Sequence, residues 1–295
     1  MIGVDWGTSG FRAYRLAPDG EIRERRASAR GIMAVADGRF AETLREEIGP
    51  WLAAGEERVL LSGMVGSRQG WVEAPYLPCP AGLDGLAENL VDVPCDWARV
   101  KLVPGLVGTD ATGVAEVMRG EETQIAGILD TIGGEGLVSL PGTHSKWVRV
   151  AQGRVAAFGT HMTGEVFAAL RGHTILGRTM ARESAHDPAA FAAGLARAGQ
   201  PGGVLHHLFG VRALNLTGTL ADAAGASYLS GLLIGHEVRA ALEGTGDRVV
   251  HLVGAPELVG LYETAITAAG REARPHAADS AATGLNMIGS RADWR

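Results

Sequence analysis

The chain of 295 residues has only two cysteines, Cys79 and Cys95, too few for a disulfide framework and not spaced as a CxxC metal pair. They read as reduced thiols of a cytoplasmic protein. Lys and Arg total 27 against 33 Asp and Glu, and no basic patch interrupts the net charge of −6, so a nucleic-acid partner is not expected. No run of 18 or more apolar residues is present, and no basic segment leads into an apolar one at the start. A membrane partner and a signal peptide are therefore not expected either. Aromatic residues are scarce at 5%. What the chain has is 43 glycines and 46% hydrophobic residues, which fits many tight turns over enough core for two domains or one large one. A mildly acidic chain can still bind an anion through a local cluster of Arg, Lys and backbone amides. The oligomeric state is open, a homo-oligomer included.

The chain opens with MIGVDWGTSGFRAYRL. Residues 2–5 and 11–16 read as strands joined by a Gly7-Thr8 turn, and Asp19-Gly20 marks a second turn before a third strand at 21–28. Phe40, Leu44, Ile48 and Leu52 have helical spacing within 39–54. A short apolar strand is expected at 58–63, another at 100–106, and loop then helix over 112–130. The stretch 63–82, GMVGSRQGWVEAPYLPCPAG, is too rich in Gly and Pro for regular structure, and a long loop inside a compact domain is usually functional. Helices are expected at 163–177, 188–199, 224–242, 257–270 and 280–290, with a strand at 249–256.

Residues 136–170 repeat the opening pattern. A strand leads to Gly142-Thr143, an alternating strand follows, Gln152-Gly153 turns the chain, and a third strand runs out. This is one β-meander used twice, so a two-domain α/β protein is expected, with ligands bound at strand carboxyl ends and between the halves. A Gly-Thr turn offers backbone amides and a hydroxyl with no bulky side chain, which makes an anion nest. Two such turns suit a chain of phosphates. An Asp is not needed to build a hairpin, but Asp5 beside the first turn suits Mg²⁺, which favours carboxylate oxygens next to phosphates.

The duplicated meander resembles the actin-like ATPase superfamily, which also includes hexokinase and Hsp70. Its first hairpin resembles the phosphate-1 element, 137–150 the phosphate-2 element, and VHLVGAPELVGLY at 250–262 the adenosine motif. VDWGT, GMVGSRQGWVEAPYLPCPAG, MRGEETQIAG, PGTHSKWV and SGLLIGHEV are together similar to the 2-dehydro-3-deoxygalactonokinase family, in order from residue 2 to about 290. The resemblance implies the duplicated actin-like (ribonuclease H-like) fold, with domains 1–120 and 121–295 around a nucleotide and sugar cleft. It also implies transfer of the ATP γ-phosphate to the 6-hydroxyl of 2-dehydro-3-deoxygalactonate, with Mg²⁺, in galactonate catabolism. Another 2-oxo-3-deoxy sugar acid as acceptor, a non-catalytic carbohydrate sensor on the same fold, and an actin-like phosphatase or ATPase without a sugar acceptor are the competing readings.

By that resemblance Gly7, Thr8, Gly142 and Thr143 contact phosphates and Asp5 serves the metal and catalysis. Glu121 takes the place of the Asp in the Gly-Asp-Gln segment that carries the base of related carbohydrate kinases, one methylene longer, with Glu122 its rival and Glu165 third. The competing reading of this acidic pair is helix-dipole placement in a first turn. Lys146 neutralises phosphate or carboxylate charge, whereas His144 reads as a structural hydrogen-bonding histidine. Arg68 and Arg119, with Arg12 third, meet the acceptor carboxylate. Trp71 and Tyr76 offer faces for the sugar chain, though core packing is the commoner fate of such aromatics. Gly254 and Ala255 let adenine lie against backbone, where a tight strand–helix turn would also need Gly.

Overall fold

β1 (Ile2–Trp6), β2 (Phe11–Leu16) and β3 (Ile22–Ser28) form an antiparallel meander in the computed structural model, which describes every residue except Ala111 and Asp247. α1 (Phe40–Ala53) lays Phe40, Leu44, Ile48 and Trp51 into the core beside Val4, Trp6 and Phe11. Their spacing puts them on one helical face. β4 (Arg58–Ser62) is a short apolar run, buried from Val59 onward, and lies parallel to β1. Next come β5 (Tyr76–Pro78), β6 (Ala81–Gly82), α2 (Leu83–Glu88), β7 (Val91–Val93), β8 (Arg99–Leu102), β9 (Gly105–Thr109), β10 (Ala115–Met118) and α3 (Glu121–Ala126). The strand order is β3-β2-β1-β4-β8-β7. The single strand expected at 100–106 is two strands in different sheets. β8 ends at Leu102, and Pro104, which has no amide to give a ladder, precedes β9. The expected loop 63–82 carries β5 and β6 within it.

The second meander is β11 (Gly136–Leu140), β12 (Ser145–Ala151) and β13 (Arg154–His161). It continues into α4 (Thr163–His173), α5 (Pro188–Ala198), α6 (Gly203–Leu216), α7 (Gly225–Leu242), β14 (Val250–Leu252), α8 (Pro256–Ala268) and β15 (Ala273–Pro275), and α9 (Ser280–Gly289) closes the chain. The order β15-β14-β11-β12-β13 matches β8-β4-β1-β2-β3 strand for strand. β14 is parallel to β11 and β15, as β4 is to β1 and β8. The repeat read from three strands therefore covers five. α5 starts where Asp187 accepts a hydrogen bond from the Ala190 amide at 2.9 Å, with Pro188 in the first turn. The helix expected at 163–177 stops at His173, where Thr174 turns extended.

Contacts gather 1–136, 148–158 and 276–295 into one compact unit, and 137–147 with 159–275 into the other. This packing differs from the division expected at 120/121 because α9 returns to α3. At Gly284 a Cβ would lie 1.8 Å from the Thr123 carbonyl oxygen, so the two helices meet backbone to backbone. Among the described residues no helix is long and apolar enough to cross a membrane.

Candidate active site

In the first unit, Asp5 stands at the carboxyl end of β1, opposite Arg12 on β2 and beside Ser62 on β4. Asp5 is 7% exposed, and its Oδ2 accepts from Arg12 Nη2 at 2.6 Å. Burial pushes its carboxyl above the usual Asp value and the arginine opposes that. The turn that follows is closed by the Gly7 amide donating to the Gly10 carbonyl at 2.9 Å. The Gly7 and Thr8 carbonyls accept from the amides of Ile32 and Met33 at 3.0 and 3.2 Å. The turn is thus held by the Gly7 amide and by the Gly7 and Thr8 carbonyls, and Thr8 lies exposed.

Gly63 ends β4 with φ +94°. A Cβ there would lie 2.8 Å from the Trp6 carbonyl oxygen and 3.3 Å from Asp5 Oδ1. Gly254 has the corresponding place after β14, with φ +154°. Sequence reading singled out Gly254 and passed over Gly63. Ser62 was also missed. Its hydroxyl is 2.9 Å from Thr123 Oγ1 and donates to Glu122 Oε1 at 3.4 Å, which joins the end of β4 to the start of α3.

The two glutamates of α3 differ sharply. Glu122 is 1% exposed and accepts from the Gly120 amide at 2.7 and 2.9 Å, capping its own helix. Burial first, then the neighbouring Glu121 charge, pushes its carboxyl up to about 8. Glu121 is half-buried, and its Oε2 accepts from the Arg119 amide at 3.1 Å. Arg119 is 8% exposed, donates Nη2 to the Ala74 carbonyl at 2.7 Å and lies 4.4 Å from the Tyr76 ring centroid. Among the described residues its Nε and Nη1 find no hydrogen-bond partner, so this buried cation grips the 63–82 loop with donors to spare. Arg68 and Trp71 are not gathered here. Arg68 is exposed and paired with Glu73 at 2.9 Å, and Trp71 stacks on Phe40 with ring centroids 6.5 Å apart.

In the second unit, Gly142 and Thr143 follow β11 as Gly7 and Thr8 follow β1. α4 starts directly against them. The Glu165 amide donates to the Thr143 carbonyl at 3.0 Å, and a Cβ on Gly164 would lie 2.5 Å from the Gly142 oxygen. His144 and Glu165 share a short hydrogen bond. Lys146 is 6% exposed and donates to Thr160 Oγ1 at 2.9 Å, along the β12–β13 hairpin. Behind the turn, Tyr262 donates to Glu237 Oε2 at 2.6 Å and is 2.8 Å from Ser145 Oγ. A cavity of about 110 Å³ lies between Gly142, Gly164, Phe167, Leu258 and Tyr262. Ala255 precedes α8, with Pro256 in the first turn, and both are exposed at the end of β14.

The 2-keto-3-deoxy-galactonokinase family matches the chain over residues 5–288. A 2-dehydro-3-deoxygalactonokinase of Escherichia coli (strain K12) is 35% identical over 285 residues, 95% of this chain and 94% of that protein. A crystal structure of a putative 2-dehydro-3-deoxygalactonokinase from Sinorhizobium meliloti superposes with a TM-score of 0.90 at 39% identity, covering 98% and 97% of the two chains. Component A of the Acidaminococcus fermentans (R)-2-hydroxyglutaryl-CoA dehydratase shares the fold at a TM-score of 0.52 and 14% identity, covering 97% and 96%. The fold is the duplicated actin-like ATPase fold.

Proposed function

The chain belongs to the 2-keto-3-deoxy-galactonokinase family, and we propose from this that it transfers the ATP γ-phosphate to the 6-hydroxyl of 2-dehydro-3-deoxy-D-galactonate. The products are 2-dehydro-3-deoxy-6-phosphogalactonate and ADP. The observation that carries the proposal is the family match across nearly the whole chain, including Asp5 and both Gly-Thr turns.

The Gly7-Thr8 and Gly142-Thr143 turns are assigned to the phosphates, with Thr8 rather than the engaged Gly7 amide as the donor of the first, and Gly254 with Ala255 to the adenosine. Mg²⁺ fits Asp5. One carboxylate beside a phosphate turn suits an ion that keeps waters and phosphate oxygens as its other ligands, and Asp5 Oδ1 is not engaged by Arg12. Among the described residues no cluster of three His, Cys, Asp or Glu could hold a metal alone, so the ion would come with the nucleotide. When bound it supplies charge neutralisation at the phosphates. Glu121 accepts the proton of the acceptor hydroxyl as general base. Glu122, held neutral, positions the start of α3. Arg119 sets the 63–82 loop and offers its spare donors to the acceptor carboxylate, with Arg68 at the exposed rim of that loop and Trp71 behind it. Lys146 is assigned to anionic charge by the resemblance, and it is engaged with Thr160. Cytoplasmic location is part of the same reading.

The test is ADP release with ATP and Mg²⁺, using 2-dehydro-3-deoxygalactonate beside its gluconate epimer, galactonate and no sugar. Selective release with the first confirms the reaction and the acceptor. Equal use of both epimers broadens the acceptor, release without sugar marks an ATPase, and no release with any of them refutes the kinase.

A further inference from the structure

A cavity of about 750 Å³ in the second unit opens between α4 and the segment that follows it. Its size is that of a small-molecule site. Arg171, His173, Arg178 and Arg182 line it together with Phe167 and Ile175, and no acidic residue does. In a chain of net charge −6 this is a local inversion of sign. Among the described residues none of the three arginines pairs with a carboxylate. Arg171 gives Nη2 to the carbonyls of Arg182 and Ala181, at 2.5 and 3.4 Å.

The wall of the cavity is fixed rather than loose. Arg212 Nη1 donates to the Ile175 carbonyl at 3.2 Å, the Ala181 amide to the Asp222 carbonyl at 3.0 Å, and Thr174 Oγ1 to the Leu170 carbonyl at 2.6 Å. These bonds fix the backbone at Ile175 and Ala181, on either side of Arg178 and next to Arg182. Guanidinium groups match phosphate oxygens in planar, two-pronged geometry. Three of them with a histidine oversupply a lone carboxylate and suit a dianion. Phe167 also lines the smaller cavity beside Gly142, so the basic cavity adjoins the second Gly-Thr turn within one unit.

We propose that this cavity binds a phosphate ester through Arg171, Arg178 and Arg182. The ester comes either from a nucleotide or from a phosphorylated sugar acid. The inference stands on the second unit alone and does not require the kinase reading.

Calorimetric titration of the full chain tests it, with ADP, 2-dehydro-3-deoxy-6-phosphogalactonate and the unphosphorylated sugar acid as probes. Wild type is compared with Arg178→Ala/Arg182→Ala and with Arg178→Gln/Arg182→Gln, each checked by circular dichroism. At least one phosphorylated probe should bind tenfold or more weakly to both variants, and its affinity for wild type should fall as salt rises. Loss for ADP alone assigns the site to a nucleotide, and loss for the sugar phosphate alone assigns it to the sugar acid. Superimposable titrations of both phosphorylated probes across all three proteins would overturn the proposal. So would an equal loss for the unphosphorylated acid. Because the readout is binding, a chain that turned over no sugar would leave this result standing.

Discussion

Replacing Glu122 by Gln should make the protein more stable as pH rises, and the size of the effect follows from burial. The carboxyl is 1% exposed and pushed from 4.5 up to about 8. Below pH 4.5 it is neutral in both folded and unfolded chains, so its ionisation has no effect on stability. Between 4.5 and 8 the unfolded chain ionises while the folded one stays neutral, and stability falls steadily. Above 8 both forms are ionised and the loss is complete. At about 1.4 kcal/mol for each tenfold change, the full loss is about 5 kcal/mol. Gln carries no charge at any pH and keeps an oxygen for the Gly120 amide, and its amide can donate to Ser62 Oγ. Urea unfolding of both proteins at pH 5, 7 and 9 gives the measurement. The advantage of Glu122→Gln over wild type should grow by several kcal/mol across that range and flatten above pH 8. Parallel stability curves would show that Glu122 ionises freely when folded, and the reasoning from burial would be wrong.

Asp5→Asn should lower phosphoryl transfer by roughly 10²–10³-fold with the fold retained. Wild-type ADP release by a folded variant would remove Asp5 from the mechanism. Gly63→Ala should cost about 1–3 kcal/mol, because its φ of +94° and the Trp6 oxygen 2.8 Å from the new Cβ both oppose it. Gly49→Ala, with nothing within 4 Å of the new atom in α1, should be neutral or stabilising, and equal melting temperatures for the two would refute the contrast. Arg119→Lys keeps the charge but loses the fork that holds Ala74 and the plane that lies over Tyr76. KM for the sugar acid should rise about tenfold, equivalent to losing one or two charge-assisted hydrogen bonds, and an unchanged KM would show that the arginine does not set the acceptor loop.

Much of the frame was legible because it is periodic. Strand alternation and Gly turns marked both meanders, and a repeat in sequence order became a repeat in strand order. Asp5 was legible because a carboxylate at the end of an apolar strand has no packing reason to be there. α6 was not legible. Its apolar residues run nearly all round the helix, so no single face stands out, and Leu205 and Phe209 remain exposed. The fate of the aromatics and cations in and near the 63–82 loop was also hidden. Trp71 folds back onto Phe40, thirty-one positions earlier, while Arg119 reaches Ala74 and Tyr76. Long-range partners decide such cases, and nothing local in the sequence encodes them. Ser62 escaped notice for a similar reason, since a serine ending a strand is ordinary until α3 packs on it.

The same logic separates two adjacent glutamates that sequence alone could only rank. A general base must hold its charge and reach its proton. Both oxygens of Glu122 are taken by the Gly120 amide, and burial keeps the group neutral at pH 7. Glu121, one position along, turns to the less buried side of the helix start and accepts from the Arg119 amide. A neutral Glu122 also spares Glu121 a like charge beside it, which suits Glu121 to the proposed base and Glu122 to an uncharged brace. Glu121→Gln should therefore lower kcat by about 10²–10⁴-fold, while Glu122→Gln keeps most of the activity at pH 7. Steady-state ADP release from the two variants, side by side, reads the difference. If Glu122→Gln is the crippled one and Glu121→Gln is near normal, the base is the buried acid and its neutrality at pH 7 is mistaken. If both are near normal, neither glutamate takes the proton.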